Sequence, residues 1–309
     1  MARYRFVTAD VFTDRPFGGN QLAVFPDALE IPESRLLDVA REFNFSETTF
    51  VYPPAGAHNT RRVRIFTPGG EVPFAGHPTV GTAHVLAAIG DIKLTGEVTR
   101  IVFEEKVGPV PVAIRAENGV PTFAQLTVAK LPQAGPMPPP RDKLADVLGL
   151  AEEEVLDGDW APRGYTCGLP FLFVPVRDRA AVRRAHIRMD MWEKFLRETW
   201  APEVFVFAAG GERPGTDYHA RMFAPGLSVP EDPATGSACA ALAGYLSTRD
   251  PRAAGEGTAR WVVEQGFEMG RPSIIELELD RKRGSVNAVR VGGASVLVSD
   301  GAMEISAPT

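Results

Sequence analysis

Cysteine is nearly absent. Only Cys167 and Cys239 occur among 309 residues, with no CxxC and no metal-ligand spacing. A disulfide framework is excluded, and the usage fits a reducing compartment, so the cytoplasm is expected. A basic excess is also missing: 33 Lys and Arg stand against 39 Asp and Glu, for a net charge of −6. Nothing here would neutralise a phosphate backbone, and no nucleic-acid partner is expected. No stretch approaches the ~20 apolar residues that span a bilayer, so no membrane partner is expected. The opening MARYRFVTADVF has neither an apolar core nor a small-residue cleavage site, and no signal peptide is predicted. Of the five histidines, His58, His186 and His219 share no ligand spacing with one another or with the cysteines, and His84 falls inside an apolar helix pattern. No metal is expected.

Turn formers, by contrast, are plentiful. Thirty Gly and 27 Pro exceed average usage of roughly 12% for the two together, and they are spread among periodic segments. That pattern predicts many short strands and turns. One cluster, PQAGPMPPP at 132–140, cannot be the interior of a helix or of a central strand. It lies near mid-chain and is the candidate linker in a chain long enough for two domains. The expected division is 1–130 and 131–309, with the C-terminal strand near 297–309 a candidate to return to the first half.

The two halves resemble each other. FTPGGEVPFAGHPTVGTAHVLAAIG begins at Phe66, and FAPGLSVPEDPATGSACAALAGYL begins at Phe223, 157 residues later (223 − 66). Each runs Phe-x-Pro-Gly, Val-Pro, a glycine-containing turn and a small-residue helix pattern. Pairing Ala75-Gly76-His77 with Thr235-Gly236-Ser237 keeps the following helices in step. Both helices are nearly free of charge, and a helix apolar on all sides is buried on all sides. Strand-like runs surround them, and charged, longer-period stretches at 33–44, 141–156 and 189–200 predict surface helices. The expected fold class is α+β: two pseudo-symmetric domains, each a curved, mostly antiparallel or mixed sheet wrapped around a central apolar helix.

Candidate chemistry gathers at the helix entrances and at one carboxylate. In NFSETTFVY, Glu47 falls within a strand pattern and shares a face with Phe45, Thr49 and Val51. Two explanations stand: a solvated glutamate on an edge strand, or a carboxylate in an apolar cleft, able to take and return a proton. Gly76 and Gly236 start helices whose first N–H groups are unpaired and carry partial positive charge, a setting suited to a small carboxylate. Ser237 can add a hydroxyl, and Thr79 or Thr82 could do so in the other half. His77 stands beside Gly76. Asp232 is either an N-cap or Asx-turn residue or a site residue, Asn20 falls in the turn-forming GGN, and Glu231 is expected in solvent. No Walker or GxGxxG spacing points to a nucleotide.

SETTF, EVPFAGHPTVGTA and EDPATGSA, with GGN near the start, resemble in order and spacing the signature stretches of the phenazine-biosynthesis isomerase (PhzF-like) family. The resemblance runs from about residue 4 to the C-terminal strands. It implies the diaminopimelate-epimerase-like fold, with the active site between two similar domains, a homodimer and no cofactor. It places the family's catalytic glutamate on Glu47, its histidine on His77, its aspartate on Asp232 and its serine on Ser237. Gly76 and Gly236 would hold a substrate carboxylate, and Asn20 takes the early asparagine position. Gln21 departs from the family, where many relatives have proline. The implied reaction moves a proton within a small cyclic or unsaturated amino or hydroxy carboxylate; in the namesake enzyme this is trans-2,3-dihydro-3-hydroxyanthranilate. Two alternatives are an epimerase or racemase on the same fold and a catalytically silent carboxylate-binding protein. Two-base thiol chemistry is disfavoured, because Ala75 and Thr235 stand where such enzymes carry cysteines.

Overall fold

The computed structural model describes residues 2–306. The chain forms two compact units, one of residues 1–129 with 292–309, the other of residues 130–291. In the first unit, β1 (Ala2–Val11) and β2 (Asn20–Phe25) lead to helix α1 (Leu36–Phe43). β3 (Glu47–Tyr52), β4 (Arg61–Thr67) and β5 (Gly70–Val72) precede α2 (Gly76–Ala88), and β6 (Val98–Glu105), β7 (Gly108–Glu117) and β8 (Val120–Thr127) follow it. The second unit begins with β9 (Gln133–Ala134), α3 (Arg141–Leu148), β10 (Arg163–Thr166) and β11 (Pro170–Pro175). Next come α4 (Arg179–Arg184), α5 (Met189–Phe195), β12 (Val204–Ala209), β13 (Tyr218–Ala224) and β14 (Val229–Asp232). It closes with α6 (Gly236–Leu246), β15 (Gly257–Gln265), β16 (Ser273–Lys282) and β17 (Ser285–Gly293). The last strand, β18 (Ser295–Ile305), pairs antiparallel with β1 along its length.

Sequence chemistry explains the central helices. From Gly76 to Ala87 every residue of α2 is buried, and in α6 only Ser237 is not. Without charges to solvate, a helix of Ala, Gly, Val and Leu is stable only when sheet covers it on all sides. Gly81 sets how close the sheet comes: a Cβ there would lie 2.5 Å from Val11 Cγ2 and 2.6 Å from Leu22 Cδ2. By contrast α1 is amphipathic, burying Leu36, Val39 and Ala40 at helical spacing and ending at Asn44 in the left-handed conformation. Around α6, Tyr245 packs against Phe173 and Phe207, and its hydroxyl lies within hydrogen-bond reach of the Trp160 and Ala161 carbonyls.

The internal repeat extends to individual bonds. Arg64 grips Glu71 with two nitrogens and lies over the Phe66 ring; Arg221 does the same with Glu231 and Phe223. Glu104 accepts from the Ala55 and Gly56 N–H groups and the Asn59 amide. Glu264 accepts from the Glu212 and Arg213 N–H groups and the Thr216 hydroxyl. The parallel ladders agree. β4 meets β6 with Arg61 opposite Phe103 and Arg62 opposite Glu104, while β13 meets β15 with Tyr218 opposite Val263 and His219 opposite Glu264. Glu104 and Glu264 are therefore equivalent, and so are the strand ends that follow them, Glu105 and Gln265.

Several sequence expectations change. β3 is an internal strand, parallel to β2 and antiparallel to β4, so the edge-strand explanation of Glu47 fails. Phe45 precedes the strand and packs on Phe43. Within 132–140, Gln133–Ala134 is itself a short strand that pairs with Thr166 and Tyr165 inside the second unit. The helix expected over 141–156 stops at Leu148, where Gly149 adopts φ 62°. Glu231 is held by Arg221 and is not free in solvent.

Candidate active site

In the first unit three chain segments converge. β2 and β3 run parallel with Leu22 opposite Glu47, so the starts of both strands lie at the same end of the sheet. Asn20 is the first residue of β2 and is buried. The entrance of α2 supplies Gly76 and His77, and its N-cap Ala75 has extended backbone and no side-chain cap. Pro78 has no N–H, so the first turn offers the Gly76 and His77 N–H groups without intrahelical acceptors.

His77 Nε2 stands 3.3 Å from Glu47 Oε2, and the two side chains are 4% and 17% exposed. Burial dominates the imidazole and drives its pKa down to about 3, against a hydrogen bond with the Gln21 backbone that favours the charged ring. The ring is therefore neutral at physiological pH. A neutral ring has one N–H, and with Gln21 taking it, Nε2 faces Glu47 as an acceptor. The threonines considered as site donors are committed elsewhere. Thr79 Oγ1 bonds the Ala75 carbonyl at 2.8 Å and lies 2.7 Å from Glu105 Oε1, and Thr82 Oγ1 lies 2.8 Å from Thr49 Oγ1. His84 is a core residue, with burial lowering its pKa to about 4.

In the second unit the corresponding entrance is built from different side chains. Asp232 ends β14, and its Oδ2 accepts from Thr235 Oγ1 at 2.5 Å. Asp232 is thus not the cap of α6; Thr235 holds that position, without a side-chain cap bond. Gln265 fixes the turn, donating to the Asp232 carbonyl at 2.6 Å and to Thr235 Oγ1 at 3.0 Å, and accepting from Thr235 N–H at 3.1 Å. Gly266 follows at φ 76°, and a Cβ there would come within 2.6 Å of the Pro233 carbonyl. That close approach requires glycine. Gly236 is buried, and Ser237 is the one residue of α6 left partly exposed.

Sequence reasoning singled out neither Glu105 nor Gln265, and no motif marks them. The ladder register, seen only in the fold, brings them to the two helix entrances. Glu203, just before β12, is a buried carboxyl away from these groups: the residue is 2% exposed, and burial raises its pKa to about 7. Neither thiol is suited to proton abstraction. Burial pushes Cys167 up to about 12 and raises Cys239 further, and Cys239 is packed inside α6. No helix among the described residues is long and apolar enough to cross a membrane.

Two sheet-wrapped central helices define an α+β scaffold, and a carboxylate–imidazole pair lies at the entrance of one of them. The chain belongs to the phenazine biosynthesis-like (PhzC-PhzF) family, whose model matches residues 9–301, and it is an isomerase of that family. It is 37% identical to an uncharacterised isomerase of Mesorhizobium japonicum, over 99% of this chain and 100% of that one. It is 32% identical to the trans-2,3-dihydro-3-hydroxyanthranilate isomerase of Pseudomonas aeruginosa, over 96% of this chain and 98% of the relative. The crystal structure of a PhzF-family phenazine biosynthesis protein from Bacillus anthracis superposes with a TM-score of 0.89 at 24% identity. That match covers 99% of this chain and 100% of that one.

Proposed function

We propose that the protein moves a proton within a small unsaturated amino or hydroxy carboxylate, with Glu47 as general acid and base and without a cofactor. The observation that carries this reading is the contact between Glu47 Oε2 and His77 Nε2, with the imidazole held neutral. With its pKa near 3, His77 is too weak a base to take the proton, which leaves Glu47 to take it. Once protonated, Glu47 has Nε2 beside it as an acceptor, which steadies the proton until it is returned at another carbon. The family resemblance assigns the Gly76 and Gly236 N–H groups and the Ser237 hydroxyl to negative charge developing on the substrate. Asp232 and Asn20 are assigned to the substrate's amino or hydroxyl groups. Atoms balance within one molecule, so the reaction has no redox change.

The name of the Pseudomonas aeruginosa relative makes trans-2,3-dihydro-3-hydroxyanthranilate the first compound to try. Incubating it with the purified protein in deuterated buffer, under ultraviolet and proton-NMR observation, tests the reading. Rearrangement of the compound with solvent deuterium at the reprotonated carbon supports it. Binding with no deuterium uptake would reassign the protein as a carboxylate binder, and neither binding nor turnover would exclude this substrate. A cytoplasmic homodimer completes the proposal, and light scattering of the purified protein tests its stoichiometry.

A further inference from the structure

Glu105 is the last residue of β6, 5% exposed, and its Oε2 has no hydrogen-bond partner among the described residues. Its Oε1 lies 2.7 Å from Thr79 Oγ1, and the same hydroxyl lies 2.8 Å from the Ala75 carbonyl. One hydroxyl proton cannot serve two acceptors. The Ala75 carbonyl can only accept, so both short contacts are satisfied together when Glu105 carries a proton and donates it to Thr79, which donates its own to Ala75. The second unit solves the same problem with an amide. Gln265, equivalent to Glu105 in the ladder register, holds the residues before Gly236 through Thr235 and the Asp232 carbonyl.

We propose that Glu105 is a positioning residue kept as a neutral carboxylic acid, whose proton chain through Thr79 to the Ala75 carbonyl fixes the α2 entrance bearing Gly76 and His77. In this role it is the counterpart of the neutral Gln265. The surroundings favour the neutral form. Burial pushes the carboxyl up to about 8, opposed only by the Thr79 bond, with no charged group of β4, β7 or α2 contributing. The ionisable side chains of α2, His77 and His84, are themselves neutral, and neighbouring Lys106 pairs with Glu71. An ionised Glu105 would be a buried charge with no cation beside it. The inference deepens the function proposed above, but its first two tests do not depend on it.

The infrared difference spectrum of wild type minus Glu105→Gln, near neutral pH in deuterated buffer, is expected to contain the carbonyl stretch of a protonated carboxylic acid. That band should fade as pH rises through about 8. A carboxylate band in its place at neutral pH overturns the proposal. In amide NMR spectra, Glu105→Ala should shift the Gly76 and His77 resonances, and Glu105→Gln should largely restore them. Unmoved resonances in Glu105→Ala also overturn it, and if that variant does not fold, the infrared comparison decides alone. With trans-2,3-dihydro-3-hydroxyanthranilate as probe, Glu105→Ala should lose kcat about tenfold or more with a smaller change in KM, and Glu105→Gln should recover most of it. Equal loss in both variants counts against a neutral group at this position. If wild type does not turn the compound over, the proposed function fails while the infrared and NMR results still judge Glu105.

Discussion

Glu47 and His77 come from the start of a strand and the start of a helix, and their side chains meet at 3.3 Å in a largely buried setting. Glu47→Gln keeps the size and leaves β3 paired on both sides, so folding should be unchanged by circular dichroism. Turnover of a competent substrate should fall by about 10²–10⁴-fold, the usual loss when a general acid or base is removed. Retained kcat would remove Glu47 from the chemistry.

Ser237 is the one partly exposed position on α6. Ser237→Ala should raise KM for a carboxylate substrate by about tenfold, matching the ~1.5 kcal/mol of a hydrogen bond to a charged group. Titration calorimetry with that substrate would show the same loss in Kd. An unchanged affinity would rule out a carboxylate contact at Ser237.

Acid sensitivity should come from the buried histidines. His77 and His84 have folded pKa values near 3 and 4, below the ordinary 6.5. Between those values the unfolded chain binds more protons, so stability falls as pH drops below about 6.5 and the loss is complete near 3. His219 acts in the opposite sense. Burial opposes its charge, yet the hydrogen bonds it donates to Glu264 and Glu268 prevail and raise its pKa to about 9. Its contribution is full below about 6.5 and is lost as pH rises through 9. Urea midpoints of wild type and His84→Leu at pH 7 and at pH 4.5 test the first effect: the variant should lose less on acidification.

Equivalent glutamates should differ in importance. Glu264 is fully buried and holds two backbone N–H groups, Thr216 and the charged His219. Glu264→Ala leaves the buried, charged histidine with Glu268 as its one remaining carboxylate and should cost about 3–5 kcal/mol in urea denaturation. Glu104 makes the matching loop bonds at the surface, and Glu104→Ala should cost far less. Similar losses would mean that the loop bonds, not the buried charge, set the stability.

How far the chain could be read without coordinates varied by element. The apolar helices were legible because a charge-free, small-residue pattern has one stable environment. Glu47, His77, Asp232 and Ser237 stood out because each sits in a motif or breaks a strand pattern. The β3 neighbours were not legible, since alternation says which residues share a face but not which strands lie alongside. Gln133–Ala134 looked like linker because proline dominates the local composition, yet two residues between prolines suffice for a short pairing. Glu105 and Gln265 were invisible for a related reason: their partners are set by ladder register, which couples residues far apart in sequence. Thr79 and Thr82 are alternative site donors in the sequence because it does not show where a hydroxyl points, and the fold commits both to internal contacts.

The matched ladders and arginine clamps have a practical consequence for every experiment above. Because Arg64 and Arg221, Glu104 and Glu264, and Glu105 and Gln265 occupy corresponding places, the molecule carries its own reference for each. A substitution in one half can be scored against its twin in the same tube, at the same pH and on the same backbone. Differences between twins then measure what surrounds a residue, separated from what the residue is.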